Sequence, residues 1–441
     1  MKLNYKRTFL IGLAFMSISA FWTFYDQCIP YILKYTFGKE EVTANSIMAI
    51  DHVLALFLLP IFGMLSDKTH SRFGRRTPYV ALGTVVFFVT MAFGLSLKSF
   101  WLFFAGLFLL LVAMGTYRSP AVSLMPDLTP HPLRSKANAV INLMGTAGGA
   151  VSLVFTMFLI KSSSTAEEGT IYEADQNYWP VMLAVMLFMA LGILIFLFTV
   201  KERQWRDELV SRGELDAVEP KKEEEGKGQK MERPVFRSLL FILLSVAFWY
   251  MAYNGVTTSL SRYCKEMLGK GLNESSGFTL VAMVVAAVAF VPIGFLSSRF
   301  GRKKTILFGV GLMLAAFVLA SFLQFGVLTD LLLYVIFSAV GIGWAAINVN
   351  SYPMVVEMSR GADVGKYTGY YYTFSMAAQV FTPVLSGFFI SEKYLNLGYG
   401  ALFPYAGVFM VAALVCMLFV KHGDTKAEKQ SILESLGAET D

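Results

Sequence analysis

Four ionisable side chains stand inside otherwise apolar stretches: Asp26, Asp51, His52 and Arg118. A charge held within membrane hydrocarbon costs at least ~2.5–3.5 kcal/mol, so such residues mark a solute path, a proton relay or a counter-ion. Asp26 ends the run Trp22-Thr23-Phe24-Tyr25-Asp26, four residues before Pro30. Asp51 and His52 fall in the outer half of the second apolar run, and Arg118 in the inner half of the fourth. At the rise of an α-helix, Asp26 stands ~10 Å above the bilayer midplane and Arg118 ~7 Å below it. The two are therefore not expected to pair directly, although both can face one water-filled cavity. A carboxylate in a poorly hydrated cavity suits a proton carrier, because desolvation disfavours its charged form. Asp26 is favoured over Asp51 for that role, since Tyr25 and Trp22 would partly desolvate it. His52 reads more simply as a packed or interfacial histidine. Cys28, Cys264 and Cys416 are scattered and lack metal-ligand spacing, so no metal site is expected. No nucleophile–base constellation supports an enzyme, and nothing calls for a cofactor.

The elements that must position these groups are membrane helices. The chain has 441 residues, 56% hydrophobic and only 15% charged, where a soluble protein carries about 25% charged residues. Lipid cannot satisfy backbone polar groups, so spanning segments are helices or a closed barrel. Apolar runs of about 20 residues select helices. Twelve are expected, near 8–30, 44–65, 79–97, 100–125, 138–160, 179–200, 236–258, 277–297, 305–323, 329–352, 367–390 and 401–420. The first run is too long, and too aromatic at its end, for a cleaved signal peptide. Residues 201–235 are dense in Lys and Glu and read as a solvated linker between a bundle at 1–200 and a second at 236–421; a polar tail follows at 422–441. Eighteen Lys and Arg residues lie in the termini and even-numbered loops, linker excluded, against eight on the other side. That bias places both termini and the linker in the cytoplasm of a cell-membrane protein. The net charge of +6 thus reports topology and not nucleic-acid binding.

The loop from Ser66 to Pro78 is strongly basic and recurs. Ser298-Arg299-Phe300-Gly301-Arg302-Lys303 repeats Ser71-Arg72-Phe73-Gly74-Arg75-Arg76 at an offset of 227, and Pro126 and Pro353 share that offset. Two landmarks at one offset indicate a duplicated half, a transporter signature. Gly63, Asp67, Lys68, Gly74, Arg75 and Arg76 fill the pattern Gly-x-x-x-Asp-Arg/Lys followed by Gly-Arg-Arg/Lys. A helix-end glycine lets a neighbouring helix approach, and Asp67 can tie down arginines as a gating lock. In the second copy the Asp67 position holds Ser298, so the lock is asymmetric.

Twelve spans divided six and six around a charged linker, with this loop, resemble the major facilitator superfamily. The longer form Ser-Asp-Lys-Thr-His-Ser-Arg-Phe-Gly-Arg-Arg-Thr-Pro-Tyr is similar to the glycoside–pentoside–hexuronide:cation symporters, and within them to the sucrose:proton symporter-like branch. Tyr117-Arg118-Ser119-Pro120, Met125-Pro126-Asp127-Leu128, Arg134 to Ala139, and Gly341 through Pro353 to Glu357 carry the same resemblance. It implies an all-α fold of two pseudo-symmetric six-helix bundles with helices 1, 4, 7 and 10 lining a cavity. Those helices hold Tyr117, Arg118, Tyr250, Tyr253, Asn254, Trp344, Asn348 and Asn350; Asn142 and Gln379 on helices 5 and 11 can join them. Amides and charges suit sugar hydroxyls, and aromatic rings the apolar sugar face. The gating set implied is Gly63, Asp67, Arg72, Gly74, Arg75, Arg76, Arg299, Arg302 and Glu357.

Departures from the resemblance are informative. Sodium-coupled melibiose permeases carry two carboxylates on helix 2, and those places hold Ala55 and Leu59 here. Their sugar-contacting aspartate on helix 4 is replaced by Arg118. The expectation is a monomeric secondary transporter, coupling a sugar or glycoside such as sucrose or maltose to H+ by alternating access. The alternatives are a carrier of a lipid or drug-like solute, or a non-transporting membrane sensor.

Overall fold

The structure is a computed structural model and describes residues 3–94, 99–130, 134–160, 177–213, 233–322, 330–358, 364–391 and 394–424. Among these residues the secondary structure is helical. The helices are α1 (Tyr5–Tyr31), α2 (Glu41–Asp67), α3 (Thr77–Gly94), α4 (Phe100–Asp127), α5 (Arg134–Leu159), α6 (Trp179–Thr199), α7 (Glu202–Ser211), α8 (Arg233–Leu268), α9 (Leu272–Phe300), α10 (Arg302–Ala320), α11 (Asp330–Val356), α12 (Val364–Ile390) and α13 (Leu402–Phe419). Eleven are long and apolar enough to cross a membrane among the described residues, and α3, apolar over Thr77–Phe88, occupies the remaining place.

Differences from expectation lie at the helix ends. α8 runs to Leu268, ten residues past the expected end at 258. Its last turns carry Thr258, Ser259, Ser261 and Arg262, which weaken the apolar signal; Ser259, Ser261 and Arg262 are nevertheless buried, against protein and not lipid. The charged linker was expected to be a solvated run. Its first part instead forms α7, with Glu202 and Leu209 buried. Arg7 of α1 reaches this helix, pairing with Glu208 at 2.5 Å and lying 5.0 Å from the Trp205 ring. That hydrogen bond from Arg7 holds the Glu208 carboxyl below the usual glutamate range. The remainder of 201–235 and the tail beyond 424 lie outside the described residues.

The chain forms two compact units. Among the described residues the first takes in 3–37, 50–160 and 177–213, and the second 38–49 and those from 233 onward. Within the first unit α1 packs on α5 and α6, and α3 on α4; within the second α8 packs on α12 and α13, and α11 on α9 and α10. Close crossings rest on small residues, as in other membrane bundles. A Cβ added to Gly148 of α5 would fall 2.0 Å from the Met16 carbonyl oxygen of α1, and one on Gly341 of α11 would fall 2.3 Å from the Ala282 carbonyl oxygen of α9.

Those contacts are with backbone, which cannot swing aside. Gly148→Ala should therefore cost about 1–3 kcal/mol by overpacking. Gly311→Ala, where nothing lies within 4 Å, should be neutral or slightly stabilising. Thermal unfolding of the two variants in detergent separates these outcomes.

Candidate solute and gating sites

In the first unit, α1, α2 and α4 bring two predicted residues, Asp51 and Arg118, together with Trp22. Trp22, Asp51 and Arg118 line one cleft with Leu54, Ala55, Leu58, Leu59, Leu111 and Gly115. Gly115 makes room for it: a Cβ there would meet Leu58 at 2.7 Å. The Arg118 guanidinium lies 5.4 Å from the Trp22 ring centroid, within the range of a cation–π contact. Asp26 and Asp51 are both within electrostatic reach of Arg118. Among the described residues no ion pair joins Arg118 to either; for Asp26 the helical rise led to the same expectation.

The two carboxylates differ in surroundings. Asp51 is buried and pairs with its neighbour His52, Nδ1 to Oδ2 at 3.0 Å. His52, expected as a packed or interfacial residue, is therefore part of the cluster. Asp26 was expected to be screened from water by Tyr25 and Trp22; it is surface-accessible, although protein atoms crowd around it. Those two aromatic side chains turn their polar atoms inward. Trp22 Nε1, the Tyr25 hydroxyl and Asp51 Oδ1 are buried and have no protein hydrogen-bond partner. Native proteins leave few such groups, and each calls for an explanation. Tyr117 has no such freedom: it is fully buried and its hydroxyl donates to the Ala14 carbonyl at 2.9 Å, fixing α4 to α1.

The second unit supplies rings and amides. Trp249 stacks on Tyr250 at 4.0 Å, and Tyr253 lies 6.2 Å from Trp344. Asn254 Nδ2 is buried without a protein partner. Other predicted amides are engaged locally. Asn348 donates to the Trp344 carbonyl at 3.1 Å and Gln379 to the Ser375 carbonyl at 3.2 Å. Asn350 donates to the Ala346 carbonyl at 2.8 Å and accepts from Ser297. Asn142 is exposed on α5.

The basic loop is built around Arg76, which is buried. Its guanidinium pairs with Asp67, donates to Asp127 Oδ2 at 2.9 Å and to the Gly63 carbonyl at 3.2 Å, and contacts the Ser66 hydroxyl. Arg75 pairs with Asp127 at 2.8 Å. Gly63 lets α4 approach, since a Cβ there would meet the Ser119 hydroxyl at 3.1 Å. Arg72 stands apart from this network, exposed over the Phe73 ring at 4.6 Å. Arg299 repeats that arrangement on Phe300 at 5.5 Å.

A residue the sequence reading passed over organises the loop's backbone. Glu202, at the start of α7, accepts from the backbone N–H of Arg75 at 2.8 Å, of Arg76 at 3.0 Å and of Thr77 at 2.9 Å, and from the Thr77 hydroxyl at 2.8 Å. The first N–H groups of a helix lack intrahelical partners, and a carboxylate there also meets the positive end of the dipole. Gly74, at φ +117°, is required: a Cβ would stand 2.3 Å from the Glu202 carboxyl. The second copy repeats the device. Asp424 accepts from the Lys303 N–H at 3.1 Å, beside Gly301 at φ +94°, and Arg302 pairs with Glu357. Glu202 and Asp424 each follow the last spanning helix of their half. That placement was the signal in the sequence.

Because four donors depend on one carboxylate, Glu202→Ala should destabilise the chain by about 1.5–3 kcal/mol, the range for hydrogen bonds to a charged group. Asp67→Asn should cost less, since Asp127 still holds Arg76. Thermal melts of the two purified variants test the ranking, and equal melts would contradict it.

Comparison with known proteins places this architecture. The signature of the Major Facilitator Superfamily matches residues 7–291 and 271–436. The chain is 21% identical over 318 residues to an isoprimeverose transporter of Lactiplantibacillus pentosus, covering 68% of this chain and 60% of that protein. It is 24% identical over 202 residues to a sucrose transport protein of Arabidopsis thaliana, covering 39% of this chain and 33% of that protein. The matches thus span under two thirds of these relatives' own lengths. Among solved structures, the inward-open xylose transporter XylE from E. coli superposes with a TM-score of 0.67 at 16% identity, over 98% of this chain and 99% of that one. The nucleoside transporter NupG gives 0.67 at 13% identity, over 93% and 99%. Its helices, its duplicated loop and this match over most of its length make the chain a member of the Major Facilitator Superfamily.

Proposed function

We propose that this chain is a multi-pass transporter of the cell membrane that carries a sugar or glycoside together with H+ by alternating access. The observation that carries the reading is the first-unit cleft, lined by Trp22, Asp51 and Arg118, where Trp22 Nε1 and Asp51 Oδ1 are buried without protein partners. The cleft has a volume of about 10 Å³, room for one water, so a solute enters only when it widens during the cycle. Its donors, acceptor and aromatic face then suit a polyhydroxylated solute, whose hydroxyls donate and accept and whose ring face is apolar. Sugar transport by the isoprimeverose and sucrose relatives supports the same class.

Coupling to H+ is favoured over sodium by the composition of that cleft. Ala55 and Leu59, where sodium-coupled permeases carry carboxylates, both line it and offer no oxygen to a hard cation. In this scheme the proton passes by way of Asp26, the accessible carboxylate, and Asp51, buried beside His52. Both termini and the charged linker lie in the cytoplasm by the distribution of Lys and Arg.

The test is uptake into proteoliposomes of a panel containing isoprimeverose, sucrose, maltose and xylose, with and without an imposed pH gradient. Gradient-driven accumulation of at least one sugar is expected. Accumulation driven by sodium and indifferent to pH would refute the coupling. Arg118→Lys should lose most uptake, because a point charge cannot reproduce bidentate donation. Asp51→Asn should abolish uphill uptake yet spare counterflow exchange; intact uphill uptake would remove Asp51 from the coupling path.

A further inference from the structure

A groove with a volume of about 320 Å³ runs between α10 and α13 of the second unit. Leu314 and Val318 line it from α10, and Gly407, Val408 and Val411 from α13, over a floor made by Phe403. Val318, Val408 and Val411 are exposed on spanning helices, so the groove opens to the bilayer. Phe403 is buried, and its ring packs on Tyr263 and Phe317 at centroid separations of 4.8 and 6.2 Å. Gly407 makes the notch: a Cβ there would meet no atom within 4 Å. The valines beside it are β-branched and stiff at χ1, so they do not swing in to fill it.

We propose that this groove binds one acyl chain of a membrane lipid, in the leaflet opposite the basic loops. The inference rests on the spanning helices and not on the sugar reading. A polar occupant finds no partner in the groove. Ser321 carries the one polar side chain of the lining, and its hydroxyl donates to the Phe317 carbonyl at 2.9 Å. Apolar cavities stay dry and take up apolar guests, and an empty one leaves its lining without dispersion partners. Hydrocarbon is the filling such a site favours, and lipid chains are the hydrocarbon alongside it. The depth fits as well. α10 ends at Ala320 and α13 begins at Leu402, so the mouth of the groove stands at the helix ends. From Ser321 to Leu314 it descends ~10 Å at the helical rise, within the ~15 Å of hydrocarbon in one leaflet. A chain whose headgroup rests at the interface therefore reaches the whole groove. A second copy of the protein fits less well: eight residues line the groove, where a stable interface uses about 20–30 on each side. On the convex flank of a helix a lipid chain touches protein on one side only. Here it meets α10, α13 and the Phe403 ring together, which sets this site apart from the surrounding lipid.

Filling the notch tests the proposal, because the added side chain enters open space. The unmodified protein and Gly407→Phe are purified in dodecyl maltoside, and retained phospholipid is counted by native mass spectrometry. The unmodified protein should keep a bound lipid, and the variant several-fold less. After delipidation, dioleoyl phosphatidylcholine should raise the Tm of the unmodified protein saturably and leave that of Gly407→Phe nearly unmoved. Dihexanoyl phosphatidylcholine, with the same headgroup and short chains, should stabilise neither. Equal retention or an equal Tm response in the two proteins overturns the proposal. So does a dihexanoyl response matching the long-chain one, which would put recognition at the headgroup. An unmodified protein that neither retains lipid nor responds to it overturns the proposal too. Gly407→Leu, a smaller filler, supplies the same comparison where the phenylalanine variant is not monodisperse. Failure of every sugar in the uptake panel would refute the transport reading and leave this result standing.

Discussion

Inside a bilayer a polar atom has only the protein to bond with, and unpaired groups cost several kcal/mol. The spanning helices meet this constraint mostly within themselves. Ser17 donates to the Leu13 carbonyl at 2.9 Å, Thr156 to Ser152 at 3.0 Å and Thr382 to Ala378 at 2.6 Å, each four residues back along its own helix. Most predicted amides follow suit, which is why Asn348, Asn350 and Gln379 hold their own helices more than they await a ligand. Against that background the unpartnered atoms of Trp22 and Asp51 stand out, because both residues line one cleft with Arg118.

The same constraint governs the loops where helices begin. Each half starts a helix with a glycine of positive φ and brings a carboxylate from beyond its last span onto the exposed N–H groups: Gly74 with Glu202, Gly301 with Asp424. Each half also ties the arginine that follows the loop glycine to a carboxylate near the end of a proline-bearing helix, Arg75 to Asp127 and Arg302 to Glu357. The halves then part at the following residue. Arg76 uses its planar fork on Asp67 and Asp127, whereas Lys303 reaches the Leu418 and Val420 carbonyls at 3.0 and 2.6 Å. Lysine suits that place, since an ammonium can satisfy the last carbonyls of a helix. Ser298 in place of Asp67 leaves the second copy without the carboxylate that the fork would need.

α2 links these themes. It carries Glu41 at one end, Asp51 in the middle and Asp67 at the other end. Each is held by a different partner: Arg262, His52 and Arg76. A single helix therefore carries three separate charged contacts, and its residues divide between the two compact units at Ala49 and Ile50.

Local information in the chain was enough for the helices, the duplication and the family, because apolar runs near 20 residues, helix-ending prolines and a repeated basic loop are all short-range signals. It also singled out Asp51 and Arg118, since a charge in an apolar run is conspicuous wherever the run folds. Partnerships across many residues were invisible to it. Glu202 and Asp127 meet Arg76 from 126 and 51 residues away, and Arg262 meets Glu41 across 221. In sequence each is one more charge near a helix end, and solvent or a loop explains it as well as a lock does. Only the packing decides whether such a charge is in water or in the core, because burial depends on which helices the fold brings alongside.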